Sequence, residues 1–421
     1  MSNESETKQI PKRKSPFATL FWRIWRTLCD WANKLELTGA VIPAVLVTLL
    51  VLLLEYNGWL ASPIGKLSDA IWGTATPVSG AELSPLLIVE INDDAFQKCF
   101  KRTQPLKPSL IGAMVKGLSG LHPRVVGIDI LSEDWTSAER SVVQGLTNVV
   151  WMAGGEVSHH PPSFVGWLTG NEAGFVVTPG RVLGLPLPQA GISWAMPFFP
   201  LSDDGKVRLV HQMINVHFRQ ESRERKLTLA AALSPKSVKD EPYYIAYGPP
   251  EPERFAMADL FDCRTGELLA SYSDKRAQFL SQIGPKTIIL LGGTFRESGD
   301  AERETPIGPM PGLIVNAYAV QTLMGGHPRK EESHGLAALI DLAAGLLFAG
   351  VYAASRRRKW NATKWAVPAS LLASIAGSAS FGREYVPGVV AIFLGILLHH
   401  ICEGWLSEHR RHRKPRAAAG V

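Results

Sequence analysis

Apolar residues divide the chain into two kinds of territory. Residues 37–54 carry no Asp, Glu, Lys or Arg over 18 positions, the same holds for 365–382 and 385–402, and residues 335–355 form a fourth stretch broken only by Asp341. Each is long enough to cross the hydrocarbon core of a bilayer as a helix. The pattern predicts four transmembrane helices, one early and three late. The chain then divides into a segment 1–36, an anchor 37–58, a large intervening domain 59–334, further spans 335–355, 364–382 and 385–403, and a tail 404–421.

Within the large domain the periodicity is of another kind. Residues 86–92, 125–131, 148–153 and 287–293 are short aliphatic runs that close on Asp, Gly or Thr, the signature of strands buried on both faces of a sheet. Residues 109–118 place apolar side chains at helical spacing between the first two runs, which makes a βαβ unit with parallel strands. A further helix is expected over 137–146. From 160 to 215 the runs shorten and are broken by Gly, Pro and Asp204-Gly205, which suggests an antiparallel insertion with a hairpin before 206–212. Short helices are expected at 227–233 and 274–283, a strand at 242–247, a segment entering a helix at 255–261, and an apolar run at 312–323 leading toward the membrane. The fold class expected is α/β: a Rossmann-like, mainly parallel sheet with an antiparallel insertion, plus four transmembrane helices.

Charge fixes the sides. The net charge is +6, yet residues 55–332 hold 26 Lys/Arg against 30 Asp/Glu, a net of −4. The basic surplus lies at 8–34, 356–364 and 410–416, beside the apolar stretches, as the positive-inside rule requires. This argues against a nucleic-acid partner and for cytoplasmic termini, with 59–334 outside the cytoplasm, as in a bacterial inner-membrane protein. The first stretch is longer than a signal-peptide core and follows a 36-residue lead, so it reads as an uncleaved anchor. Cys99 and Cys263 fall together in the outer domain, where a disulfide and two buried free thiols both remain open.

Candidate chemistry gathers at the strand ends, where open parallel sheets bind ligands. Asp93, Asp94 and Asp129 would meet there if their strands are neighbours, either as a site for a divalent cation such as Mg²⁺ or Ca²⁺, or with Asp94 capping the following helix and Asp129 bonding backbone amides. Gly292-Gly-Thr294 closes another strand without the glycine and lysine pattern of a phosphate loop, so a tight turn competes with anion binding through Thr294. Asp300 and Thr305-Pro306 belong to a loop able to fold over the crevice. His159-His160 and His399-His400 are adjacent pairs that cannot share one metal from a helix or strand. No nucleophile elbow is present, and no catalytic residue is assigned. Asp341, inside an apolar stretch, should face the helix bundle as a relay or pairing residue, or snorkel to the surface.

The order of segments resembles the second type of CHASE domain, the sensory extracellular modules associated with cyclases and histidine kinases. The matching pieces are Ile88-Val-Glu-Ile-Asn-Asp-Asp94, Val125-Val-Gly-Ile-Asp-Ile-Leu131, Ala173-Gly-Phe-Val-Val177, Asp204-Gly-Lys-Val-Arg208, Tyr247-Gly-Pro-Pro250, Lys286-Thr-Ile-Ile-Leu-Leu-Gly-Gly-Thr294, Asp300 with Thr305-Pro306, and Met310-Pro-Gly312 with Ala317, Ala319 and Val320. Two departures stand out. The family's Trp-Pro-Trp-Pro-Arg stretch is Gln104-Pro-Leu-Lys-Pro108 here, and its Glu-x-His-x-Asn trio appears as Ile314, Asn316 and Tyr318.

The resemblance implies a membrane-anchored sensor that binds a small ligand outside the cytoplasm and signals through its helices. Asp93, Asp94, Asp129, Thr294, Asp300 and Asn316 are the ligand-binding candidates. The 18 residues after Glu403 are too few for an output domain, so a separate output protein is expected, together with a homo-oligomer. A metal-dependent hydrolase using Asp93, Asp94 and Asp129 is the rival reading, and a membrane effector or pore built from the late helices is another.

Overall fold

The computed structural model describes residues 41–57, 85–104, 106–130, 145–152, 155–158, 176–179, 192–196, 205–217, 223–234, 242–248, 250–270, 273–298, 302–325, 329–331 and 385–386, with single residues such as Asp69 and Trp135 between them. The chain forms two compact units. The first comprises residues 1–53, 338–375 and 391–421, and so collects most of each of the four apolar stretches; the second comprises 54–337 and 376–390.

Helix α1 (Val41–Tyr56) is apolar through most of its 16 residues. No helix among the described residues is long and apolar enough to cross a membrane, and the late apolar stretches, Asp341 included, lie outside the described residues except for Gly335, Leu339, Tyr385 and Val386.

The second unit begins with strand β1 (Leu86–Ile91), whose aliphatic side chains are buried on both faces. Asn92 stops the strand and caps helix α2 (Asp93–Phe100), its Oδ1 accepting from the Ala95 amide at 3.0 Å. The cap is therefore Asn92 and not Asp94, and Asp93 and Asp94 occupy the first turn, where carboxylates favour the helix dipole. Pro108 opens helix α3 (Pro108–Gly120), which lays Leu110, Ile111, Met114, Val115 and Leu118 into the core. Strands β2 (Val125–Asp129) and β3 (Val149–Met152) follow. Asn148, just before β3, donates to the Pro123 carbonyl at 3.2 Å and so ties the starts of the two strands. The helix expected over 137–146 lies largely outside the described residues.

Beyond β3 come β4 (Gly155–Ser158), β5 (Val176–Pro179), β6 (Ile192–Ala195), β7 (Leu209–Val210), β8 (Met213–His217) and β9 (Arg223–Leu227), then helix α4 (Leu229–Leu233) capped by Thr228. Strands β10 (Tyr243–Tyr244) and β11 (Glu253–Ala256), helices α5 (Met257–Leu260) and α6 (Asp274–Ser281), strand β12 (Ile288–Gly293), helix α7 (Gly312–Met324) and strands β13 (Arg329–Glu331) and β14 (Tyr385–Val386) complete the described chain.

The central sheet runs β11-β1-β12-β2-β3-β6, and each neighbouring pair is parallel. The α/β, mainly parallel architecture is thus as the apolar runs indicated. Three details differ. β12 lies between β1 and β2, so the first βαβ unit is parallel but not adjacent. β6 belongs to the parallel edge and not to an antiparallel insertion. Residues 253–256 form the other edge strand before entering a helix, although Glu253 and Arg254 disguise a strand that is buried on one side only. Of the insertion, β4-β5-β8-β9 is a mixed sheet with antiparallel pairs at both ends and a parallel pair between.

Helices cover both faces. One core gathers α2, α3, α5 and α6 around Val89, Ile91, Val126, Ile128, Trp151, Ile289 and Leu291. The other places α4 and α7 against Leu86, Ile88, Val150, Ile288 and Leu290. Every residue of α7 is buried, which explains its apolar character on all sides: the run read as heading toward a membrane is a core helix.

Between β7 and β8, burial lowers the His211 imidazole pKa from 6.5 to about 4. The folded protein therefore prefers the neutral ring. Stability is complete above about pH 6.5, falls as the pH drops, and levels off near pH 4, a loss of up to about 3 kcal/mol. Urea melts of wild type and His211→Gln between pH 7 and pH 4 should differ in slope, the variant lacking this contribution.

The candidate ligand edge

Alternation along β1 sends Leu86, Ile88 and Glu90 to the face covered by α7. In register with Glu90 are Gly292 of β12 and, beyond it, Asp129 of β2. The C-terminal rim of the sheet therefore carries a row of carboxylate, glycine, carboxylate. Gly292 is required there, because a Cβ would lie 2.6 Å from Leu313 Cδ1 and 3.0 Å from the Asp129 carbonyl. The missing side chain lets α7 seat Leu313 between the two acids.

Each acid is held. Glu90, its side chain 12% exposed, accepts from Arg254 at 2.6 Å and from the Thr294 hydroxyl at 3.2 Å, both at Oε2. Asp129 accepts from Asn316 Nδ2 of α7 at 3.0 Å, and Asn316 is buried. The polar row thus does two things at once. It presents carboxylates and their donors at the strand ends, and it fastens α7 to the sheet.

The sequence candidates separate into groups. Asp129 and Asn316 come together, and Thr294 joins Glu90. Asp93 and Asp94 do not reach Asp129, because β12 intervenes and both acids sit on the first turn of α2. Asp94 pairs with Lys98 at 2.7 Å on the surface, and Asp93 accepts from the Arg296 amide at 2.9 Å. Among the described residues no group of three or more His, Cys, Asp or Glu side chains is arranged to hold a metal ion, so the three-carboxylate cation site does not form as drawn from the strand ends. Thr294 directly follows β12, its amide extending the ladder to β1 by donating to the Ile91 carbonyl at 2.9 Å. Asp300 lies outside the described residues. The neighbouring loop is folded on itself, with Arg303 and Met310 exchanging backbone hydrogen bonds and Thr305 donating to the Gly308 carbonyl.

Glu90 was not among the candidates, although its signal is legible: it is the one charged residue in an apolar run and shares the parity of Leu86 and Ile88. Arg254 was hidden because β11 does not look like a core strand.

A second charged site lies apart from this edge. Arg208, 6% exposed, makes a two-pronged pair with Asp69, at 2.8 Å on each oxygen, and Lys206 adds a contact at 3.3 Å. Tyr247 donates to the Val207 carbonyl at 3.0 Å, and burial raises the pKa of its hydroxyl well above the ordinary range. Val207 and Tyr247, from two separate pieces of the sequence pattern, thus meet in space. Cys99 and Cys263 are joined as a disulfide with Cα atoms 4.5 Å apart. Cys263 is presented by a turn in which Asp262 accepts from the amides of Arg264 and Thr265.

No curated protein and no solved structure matches the chain. The model of the CHASE2 domain, a family of extracytoplasmic sensor domains, matches residues 45–354, well over half of the sequence, and the chain belongs to that family.

Proposed function

We propose that this chain is a membrane-anchored sensor that binds a small ligand outside the cytoplasm and relays the event through its apolar stretches to a separate output protein. One observation carries the reading. Helix α7 is hydrogen-bonded through Asn316 to Asp129 at the ligand edge, and its C-terminal end runs within a few residues into β13 and then into the second apolar stretch. A ligand that changes the bonding of Asp129 changes how α7 sits, and differential affinity for two such arrangements is all a signal needs.

The topology of four spans with cytoplasmic termini draws support from the positive-inside charges and from the Cys99–Cys263 bridge, which suits an oxidising compartment. The paired acids and their neighbouring amide and hydroxyl favour a small cationic or strongly hydrogen-bonding ligand. Asp341 remains the relay candidate within the bundle, and a homo-oligomer fits such a bundle.

Thermal melting of the intact chain in lipid discs, against divalent cations, amino acids and polyamines, tests this. At a hundred times Kd a ligand stabilises by about 2.7 kcal/mol, or ~5 °C for a domain of this size. At least one compound should give that shift in the wild type and not in Glu90→Gln/Asp129→Asn. A panel without effect, or an equal shift in the variant, overturns the assignment.

A further inference from the structure

Three described places at which the outer unit comes near an apolar stretch meet at the four-stranded sheet β7-β10-β13-β14. β13 ends just before residue 335, where the second stretch begins. β14 stands where the sequence places the start of the last stretch, so that stretch begins with a strand. β7 follows directly on Arg208, which grips Asp69 in the segment leaving α1. The first exit, the first return and the final turn of the chain thus converge on one sheet.

We infer that this sheet is a joint, in which the outer domain holds the turn between the last two apolar stretches by adding it as a strand. Lys330 pairs with Tyr385 and Glu331 with Val386, in parallel. Parallel pairing means that the chain runs in the same direction at both strands, and each strand leads into an apolar stretch. The two stretches between them must bring the chain back to the side from which it left, as two crossings do. The joint is also tied to the ligand edge. The Thr322 hydroxyl of α7 accepts from the Ala246 amide at 2.9 Å, just after β10, and Tyr318 of α7 stacks obliquely on Tyr247 with ring centres 5.5 Å apart.

A strand of two residues is held by few hydrogen bonds, which places β14 at the low-stability end of the domain. It therefore has two available arrangements, docked and released. Movement of α7 shifts β10 and β13 and so biases that choice. The geometry of the joint stands by itself; its use as a switch rests on the sensor reading.

The test uses the full chain in membranes, with Cys29→Ser and Cys402→Ser and the native disulfide kept. Lys330→Cys/Tyr385→Cys, oxidised and then cleaved at a protease site inserted into the 356–364 loop, should remain linked on a non-reducing gel. Lys330→Cys/Val389→Cys, out of register, should fall apart. Adding Val386→Pro, which removes a backbone donor, should reduce linkage several-fold and lower the melting temperature of the outer domain. Absence of a link in the in-register pair overturns the joint. A link that forms while Val386→Pro leaves the outer domain's melting unchanged overturns the coupling. Neither measurement needs a ligand, so failure of the sensor reading leaves both results intact.

Discussion

Replacing Cys99 and Cys263 by serine should lower the stability of the outer domain by about 4 kcal/mol. The bridge spans 164 residues of sequence, and the chain-entropy relation gives about 5 kcal/mol for a closed loop of that length, while native bridges removed in practice cost about 2–5. The partners are fixed independently of the bond. Cys99 lies in the last turn of α2, and Cys263 sits in the turn organised by Asp262, whose Gly266 has φ 74 and approaches Leu110 so closely that a Cβ would lie 2.6 Å from its carbonyl. The serine variant should therefore keep its fold and lose only the constraint on the unfolded chain. Protease-pulse unfolding of the intact protein in urea checks this. Wild type in reductant should fall to the value of the variant, and equal stabilities in oxidising buffer would show that the bridge contributes nothing.

Asp69→Ala should be nearly as damaging, at about 3–5 kcal/mol, because it removes the carboxylate that holds the Arg208 guanidinium, 6% exposed, at both prongs. The cost is that of a buried charge losing its two-pronged anion. Asp69→Leu with Arg208→Met should accordingly recover most of the loss, as removal of a whole buried pair is often close to neutral. If the single and double variants melt alike, the pair is not buried in the way its geometry implies.

The parallel core was legible because strands buried on both faces have no polar side to hide them: Leu86–Ile91 and Ile288–Gly293 are aliphatic almost throughout. β11 was missed because it is an edge strand with Glu253 and Arg254 turned from the core, and β6 was placed in the antiparallel insertion because nothing local to it reveals that it pairs with β3. At the ligand edge, Asp129 and Thr294 stand at strand ends and Asn316 reaches Asp129 from α7, but which residues meet there depends on sheet order. Nothing local to Asp93 reveals that a strand nearly 200 residues later will separate it from Asp129. The Asp69–Arg208 pair is a long-range meeting of the same kind, joined across 139 positions. Asp300 and Asp341 lie outside the described residues.

The position of β12 also bears on how the protein is made. β1 and β2 are complete once residue 129 has left the ribosome, yet the strand that pairs with both does not appear until residues 288–293. Until then two aliphatic strands wait with open edges, the condition under which chains aggregate or pair wrongly. The central pairings are also the most distant in sequence, which slows folding. The domain should therefore acquire protease resistance only late in synthesis and depend on a chaperone before then, and truncations ending before residue 288 should accumulate as insoluble protein.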